Sequence, residues 1–133
     1  MLFGGASGGV GLGSCIDAWV YLEWFLMEGG GLSGEIVLER IRGALAGQVP
    51  VWLSDPAISA KGVEHGIVAF DLAGMQVAFY FDCGDLDYCQ WAEDRGGQRG
   101  EFDHWYDLGT EPVAMLDEDD QERLRELLVA AVA

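Results

Sequence analysis

Gly66-Ile-Val-Ala-Phe-Asp-Leu-Ala-Gly-Met-Gln-Val-Ala-Phe-Tyr-Phe-Asp82 is the stretch that decides the fold. Its second half alternates strictly. Met75, Val77, Phe79 and Phe81 fall on one side, and Gln76, Ala78, Tyr80 and Asp82 on the other. A period of two places one set on the core face of a strand and the other set opposite. Ala73-Gly74 lies between two such runs, so Gly66–Leu72 and Met75–Asp82 are predicted to pair as an antiparallel hairpin.

Downstream of Asp82 the chain turns near Gly84, and Asp87–Glu93 reads as a third strand. Asp94-Arg-Gly-Gly-Gln-Arg99 has hairpin composition, which makes Gly100–Tyr106 a fourth. Thr110-Glu-Pro then opens a helical turn through Leu116, because proline is accepted early in a helix. Asp117–Asp120 is an acidic cluster that complements a helix N-terminus. It precedes a closing helix over 121–132, with Leu124, Leu127, Leu128 and Ala131 on one face.

Upstream of the hairpin, Asp55-Pro56 begins a loop to Glu64, and Val49–Leu53 is a short strand whose Pro50 favours an edge or entry position. Ser33 is placed to cap a helix over 34–46. Glu35 stands at its positive end, Arg40 and Arg42 toward its negative end, and Gly47 after it. Ile36, Val37, Ile41, Ala44 and Leu45 follow helical spacing, with Arg40 the polar interruption. The order predicts an α+β fold: an antiparallel meander of four to five strands packed by an N-terminal and a C-terminal helix. Residues 32–133 form the single domain.

Residues 1–31 stand apart. Met1–Gly13 is glycine-rich and uncharged, and Ser14–Met27 is apolar but interrupted by Asp17 and Glu23. That run is too short and too charged for a membrane span, which needs about 20 predominantly apolar residues. The glycines do not make a nucleotide loop, because too few residues precede Gly4 to supply the strand such a loop needs. Two expectations remain. Residues 14–27 form a helix that packs on the domain or on a second copy as a homodimer contact, or Met27 is the natural start and the upstream residues are not native.

The chain has 133 residues and is 50% apolar, with five Trp, four Tyr and six Phe. That is enough for a core without disulfide staples and excludes a wholly disordered chain. Its 23 acidic and 7 basic side chains give a formal net charge of -16. Nucleic-acid binding needs the opposite sign, as does docking on anionic membranes. An electrostatic partner would be a basic protein or a cation, although negative charge also serves solubility by itself. Three cysteines, Cys15, Cys83 and Cys89, cannot all pair within one chain. With no secretory leader, they imply free thiols in a reducing, cytoplasmic setting.

Chemistry concentrates between Asp82 and Asp107. Cys83 and Cys89 with His104 are the candidate metal or redox set, although zinc would need a carboxylate as fourth ligand and usually takes a closer Cys pair. A Cys83–Cys89 disulfide across the turn is a further expectation, as is simple burial of both thiols. Asp82, Asp85 and Asp87 resemble a cation loop but lack the EF-hand spacing. A Cys–His nucleophile is disfavoured because surrounding carboxylates raise a thiol pKa. No carboxylate pair stands out among so many acids, and His65 by default is a solvated side chain.

A contact surface fits better. Tyr80, Tyr88, Trp91, Trp105 and Tyr106 lie among Asp82, Asp85, Asp87, Glu93, Asp94, Glu101, Asp103 and Asp107. Aromatic anchors inside a negative rim suit a basic partner. Asp82, Asp85, Asp87, Tyr88, Trp91, Asp103 and Trp105 are accordingly the candidate binding residues. The expectation is a non-enzymatic protein-binding, regulatory or immunity-type domain without a cofactor. The alternative is a metal- or redox-responsive one.

Phe81-Asp-Cys-Gly-Asp-Leu-Asp-Tyr-Cys89, Gly97–Phe102, Gly109-Thr-Glu-Pro-Val-Ala-Met-Leu116 and the helix Glu122–Leu128 carry a resemblance. Together they resemble a family of small bacterial domains of unknown function with an Asp-Cys-Asp-x-Leu-Asp-Tyr-Cys pattern, an Asp-Gly-Arg and a Gly-Thr-Asp-Pro-Val. The likeness covers about residues 32–130, with Leu32–Leu45 as the opening helix, and implies no particular activity. The chain departs from the pattern at Gly84 and at Gly96-Gly-Gln-Arg99.

Overall fold

In the computed structural model, which describes residues 31–133, the sheet is a five-stranded antiparallel meander with its strands in sequence order. It comprises β1 (Val51–Leu53), β2 (His65–Leu72), β3 (Met75–Asp82), β4 (Asp85–Glu93) and β5 (Arg99–Glu101). Helix α1 (Gly34–Leu45) precedes the sheet, and α2 (Phe102–Leu108) and α3 (Glu118–Ala130) follow it. The α+β meander with a helix at each end is therefore as the sequence predicts.

The alternation in β3 has the expected result. Met75, Val77, Phe79 and Phe81 are buried together with Val68, Phe70 and Leu72 of β2. They share one core with Val37, Ile41 and Ala44 of α1 and with Leu124 and Leu128 of α3. The spacings i, i+4 and i+7 in α1 and i, i+4 in α3 put these residues on one helical stripe. Both turns flanking β3 contain two residues at positive φ, Ala73-Gly74 and Cys83-Gly84. This is the conformation that matches the right-handed twist of paired strands.

The helix ends are capped as the sequence indicates. The Ser33 side chain accepts from the Ile36 N–H, and Asp117 accepts from the Asp120 N–H at 2.8 Å. Arg40, the polar interruption of the α1 stripe, donates to the carbonyls of Leu72 and Ala73 at 2.6 and 3.0 Å. It thus fixes α1 to the β2–β3 turn, because a guanidinium carries several N–H donors and can serve two carbonyls at once.

Two expectations are corrected. Residues 102–106 are not strand: β5 stops at Glu101, and Phe102–Leu108 is helical, ending at Gly109 with φ 72°. The Phe102/His104/Tyr106 alternation is overridden because a helix buries Trp105 while Phe102 and Tyr106, four residues apart, share another side. Thr110–Leu116 makes the expected helical turn, in which the Met115 N–H donates to the Glu111 carbonyl at 3.2 Å and the Leu116 N–H to the Val113 carbonyl at 3.1 Å. The first strand is shorter than 49–53, and begins after Pro50. The expectations for residues 14–27 and for Met27 as a start lie outside the described residues. Among the described residues, no helix is long and apolar enough to cross a membrane.

Candidate functional site

The outward face of the β3–β4 hairpin carries the aromatic residues. Tyr80 and Tyr88 are opposite each other in the ladder, as are Ala78 and Trp91. Their register is not uniform. β4 contains two irregularities, one passing Gln90 and the other passing Asp87. Such bulges bend a strand and re-aim its side chains. The Tyr80 and Tyr88 rings stack at 5.2 Å, Tyr88 meets Phe102 at 4.2 Å, and Phe102 meets Tyr106 at 5.5 Å. The result is a continuous four-ring ladder running from the sheet onto α2. The Arg99 guanidinium covers the Trp91 ring at 4.3 Å, a cation–π contact. Tyr106 is 69% exposed at the outer end of the ladder.

Trp105 does not belong to this surface. It is fully buried, and its indole N–H donates to the Leu32 carbonyl at 3.0 Å. Phe102 takes the place that the sequence assigned to it. The signal was present in the i, i+4 spacing of Phe102 and Tyr106, but it competes with a strand-like alternation.

Carboxylates surround the ladder. Asp82, Asp85, Asp87, Asp103 and Asp107 are exposed. Glu93 and Glu101 are engaged by Arg99 at 3.4 and 3.0 Å. Among the described residues, Asp87, Asp103 and Asp107 have no cationic group within ion-pair distance. The Tyr88 hydroxyl has its pKa raised by burial, then by Asp87, Tyr80 and Asp103. The negative field of Asp87 and Asp103 is thus felt at the ladder itself.

The proposed ligand set Cys83, Cys89 and His104 is not assembled. Cys83 is exposed at the hairpin turn, Cys89 is buried opposite Phe79, and His104 is exposed on α2. Strand alternation sends Cys89 to the core side of β4, away from the turn. Both cysteines are free thiols, so the expected disulfide is not formed. Cys83 instead lies with His65 and Asp82, one ligand atom of each within 4.8 Å of the others. His65, read as a solvated side chain, is exposed but paired: its Nδ1 is 2.8 Å from Asp82 Oδ1.

Burial pushes the Cys89 thiol well above its ordinary pKa, and the neighbouring Glu111 charge adds to this. Cys89 is therefore expected to be inert to a disulfide thiol reagent in the native protein, because attack needs both exposure and thiolate. Cys83 should react at once. Peptide mapping after a short labelling pulse, with and without denaturant, checks this. Equal labelling of the two without denaturant would contradict it.

Glu111 is the residue that sequence reading passed over. It is buried, and its carboxylate accepts three backbone N–H groups: Cys89 at 2.9 Å, Val113 at 2.8 Å and Ala114 at 2.9 Å. β5 pairs only with Trp91–Glu93. Where it ends, the Cys89 N–H between the two bulges goes to Glu111 instead of to a strand. Gly109 and Thr110 deliver the carboxylate there. The Thr110 N–H donates to the Trp105 carbonyl at 2.8 Å, and Gly34 packs so closely on the Thr110 carbonyl that a Cβ would collide with it. Glu111 thereby fixes the strand from which Tyr88 and Trp91 project.

These features define a small acidic α+β domain that carries a ladder of aromatic rings on a bulged hairpin. The chain belongs to the family described as domain of unknown function (DUF7693), whose model matches residues 32–130. No curated protein and no solved structure matches it.

Proposed function

We propose that the domain is a non-enzymatic protein-binding module, of the accessory, regulatory or immunity type, that takes a basic partner on the Tyr80–Tyr88–Phe102–Tyr106 ladder. The observation that carries this is the coincidence of stacked rings with Asp87, Asp103 and Asp107, which lack cationic partners among the described residues. An Arg side chain suits such a surface doubly, because it stacks on rings and pairs with carboxylates. Arg99 over Trp91 is an intramolecular instance of the same contact. The exposed free thiol of Cys83 fits a reducing, cytoplasmic setting.

The test is binding of a labelled Arg-rich peptide, with a pull-down at low and high salt beside it. Asp87→Lys combined with Asp103→Lys should weaken binding by about tenfold or more, since each like-charge contact costs on the order of a kcal/mol even at an exposed interface. Glu118→Lys combined with Asp119→Lys makes the same change in net charge on α3, and should weaken it far less. If the two double variants behave alike, or if nothing is retained at low salt, the proposal fails. Tyr106→Ala, at the exposed end of the ladder, should also lower affinity while leaving thermal stability nearly unchanged.

A further inference from the structure

We infer that His65, Asp82 and Cys83 form a surface site for a zinc-like transition-metal ion, at the end of the sheet where β2 meets the β3–β4 turn. His65 and Asp82 are directly opposed residues of the antiparallel ladder, and Cys83 follows Asp82. Neighbouring strands thus hold the first two at fixed register, independently of any ion. Cys83 has φ 55°, a conformation that residues other than glycine, asparagine and aspartate seldom adopt. Its backbone N–H donates to the Glu64 carbonyl, which ties the turn to the residue before His65. The imidazole, carboxylate and thiol then bring one ligand atom each within 4.8 Å of the others, and all three residues are open to solvent.

The donor set selects the ion. One nitrogen, one oxygen and one sulfur suit zinc, whereas calcium and magnesium take oxygen alone. Zinc bonds of ~2.0–2.3 Å in a tetrahedron separate the ligand atoms by roughly 3.3–3.7 Å. His65 Nδ1 and Asp82 Oδ1, now at 2.8 Å, need to part slightly if both bind, and the thiol needs to close by no more than roughly 1.1–1.5 Å. Rotation of exposed side chains supplies movements of that size. A thiolate and a carboxylate neutralise a divalent charge, and the net charge of the chain favours cations. Three protein ligands leave the fourth position to water, so the site is open, unlike a closed four-ligand structural zinc.

The site is tested by titrating cobalt(II), then zinc(II), into the full-length reduced protein. A cobalt–thiolate charge-transfer absorption should grow to one equivalent and be abolished by zinc. Cys83→Ser should remove it. His65→Ala and Asp82→Asn should each weaken cobalt binding by about tenfold or more, since even a residue that only orients a metal ligand is worth ~10–100-fold. Cys15→Ser, Cys89→Ser and His104→Ala should leave both the absorption and the affinity as they are. Absence of the charge-transfer band in the parent protein, or its persistence in Cys83→Ser, would overturn the assignment. Circular dichroism of the three site variants, all at exposed positions, should show the parent fold.

Discussion

Glu111→Ala is expected to lower the unfolding free energy by roughly 3–5 kcal/mol, read from urea denaturation, the largest effect of any single polar substitution in the domain. The substitution leaves three N–H donors without their acceptor. Those of Cys89 and Val113 lie in buried bonds, at 2.9 and 2.8 Å, and a buried orphan donor costs about 1–3 kcal/mol. The Ala114 N–H is at a more exposed residue and can turn to water. Glu111→Gln separates the hydrogen bonds from the charge. Its one carbonyl oxygen can still accept from both Cys89 and Val113, so it should cost far less than Ala. If Ala and Gln were equally destabilising, the buried donors would not be the source of the effect.

The same residue makes stability depend on pH. Burial raises the Glu111 pKa, opposed by its hydrogen bonds from Cys89, Val113 and Ala114, with Asp87 adding to the rise. The folded state therefore holds a proton on Glu111 at pH values where the unfolded chain has already released it. The contribution of this group is fully present below the ordinary glutamate pKa. It is lost as pH rises through the raised value. Glu111→Gln should flatten that part of the stability–pH curve. A curve of unchanged slope in the variant would show that another group is responsible.

Much of the fold was legible because β2, β3 and the two long helices obey a single period each. Val77 and Phe79, or Ile41 and Ala44, are buried wherever that period places them. Legibility failed where two periods competed. Phe102–Leu108 satisfies both an alternating and a helical pattern over too few residues to decide, and the αL position of Gly109 that ends the helix is only visible in three dimensions. The aromatic and acidic surface was readable as composition, but its membership was not. The bulges at Asp87 and Gln90 set which β4 side chains reach the ladder, and nothing in local composition marks them. Glu111 and His65 were missed for a related reason. Glu111 serves a strand 22 residues away, and His65 meets Asp82 only through the register of the hairpin. Pro112 drew attention to a helical turn and away from the carboxylate beside it. Two of the segments that carry the family likeness, Phe81–Cys89 and Gly109–Leu116, are joined by the Glu111–Cys89 hydrogen bond.

Trp105→Ala is expected to be comparably severe, at about 3–5 kcal/mol, because it removes the largest fully buried side chain and leaves a cavity. The indole lies beneath Gly100, where an added Cβ would come within 2.6 Å of the ring. Its N–H satisfies the Leu32 carbonyl, and the Leu32 N–H donates to the Arg99 carbonyl at 3.2 Å. One side chain thus connects the lead-in to α1, the β5 strand and α2. Trp105→Phe should keep most of the packing and lose the hydrogen bond, at a cost of about 1–3 kcal/mol for the stranded Leu32 carbonyl and the partly filled space. Gly100→Ala tests the same contact from the other side, and should destabilise by forcing the ring and the Leu32 backbone apart. This group of substitutions also discriminates between core and surface roles. A Trp105 that served as a binding anchor would tolerate Ala with little change in stability and a large loss of peptide binding. As a core residue it should give the reverse in Trp105→Phe: a lower denaturation midpoint, with peptide affinity under native conditions close to that of the parent, because the Tyr80–Tyr88–Phe102–Tyr106 ladder is left in place.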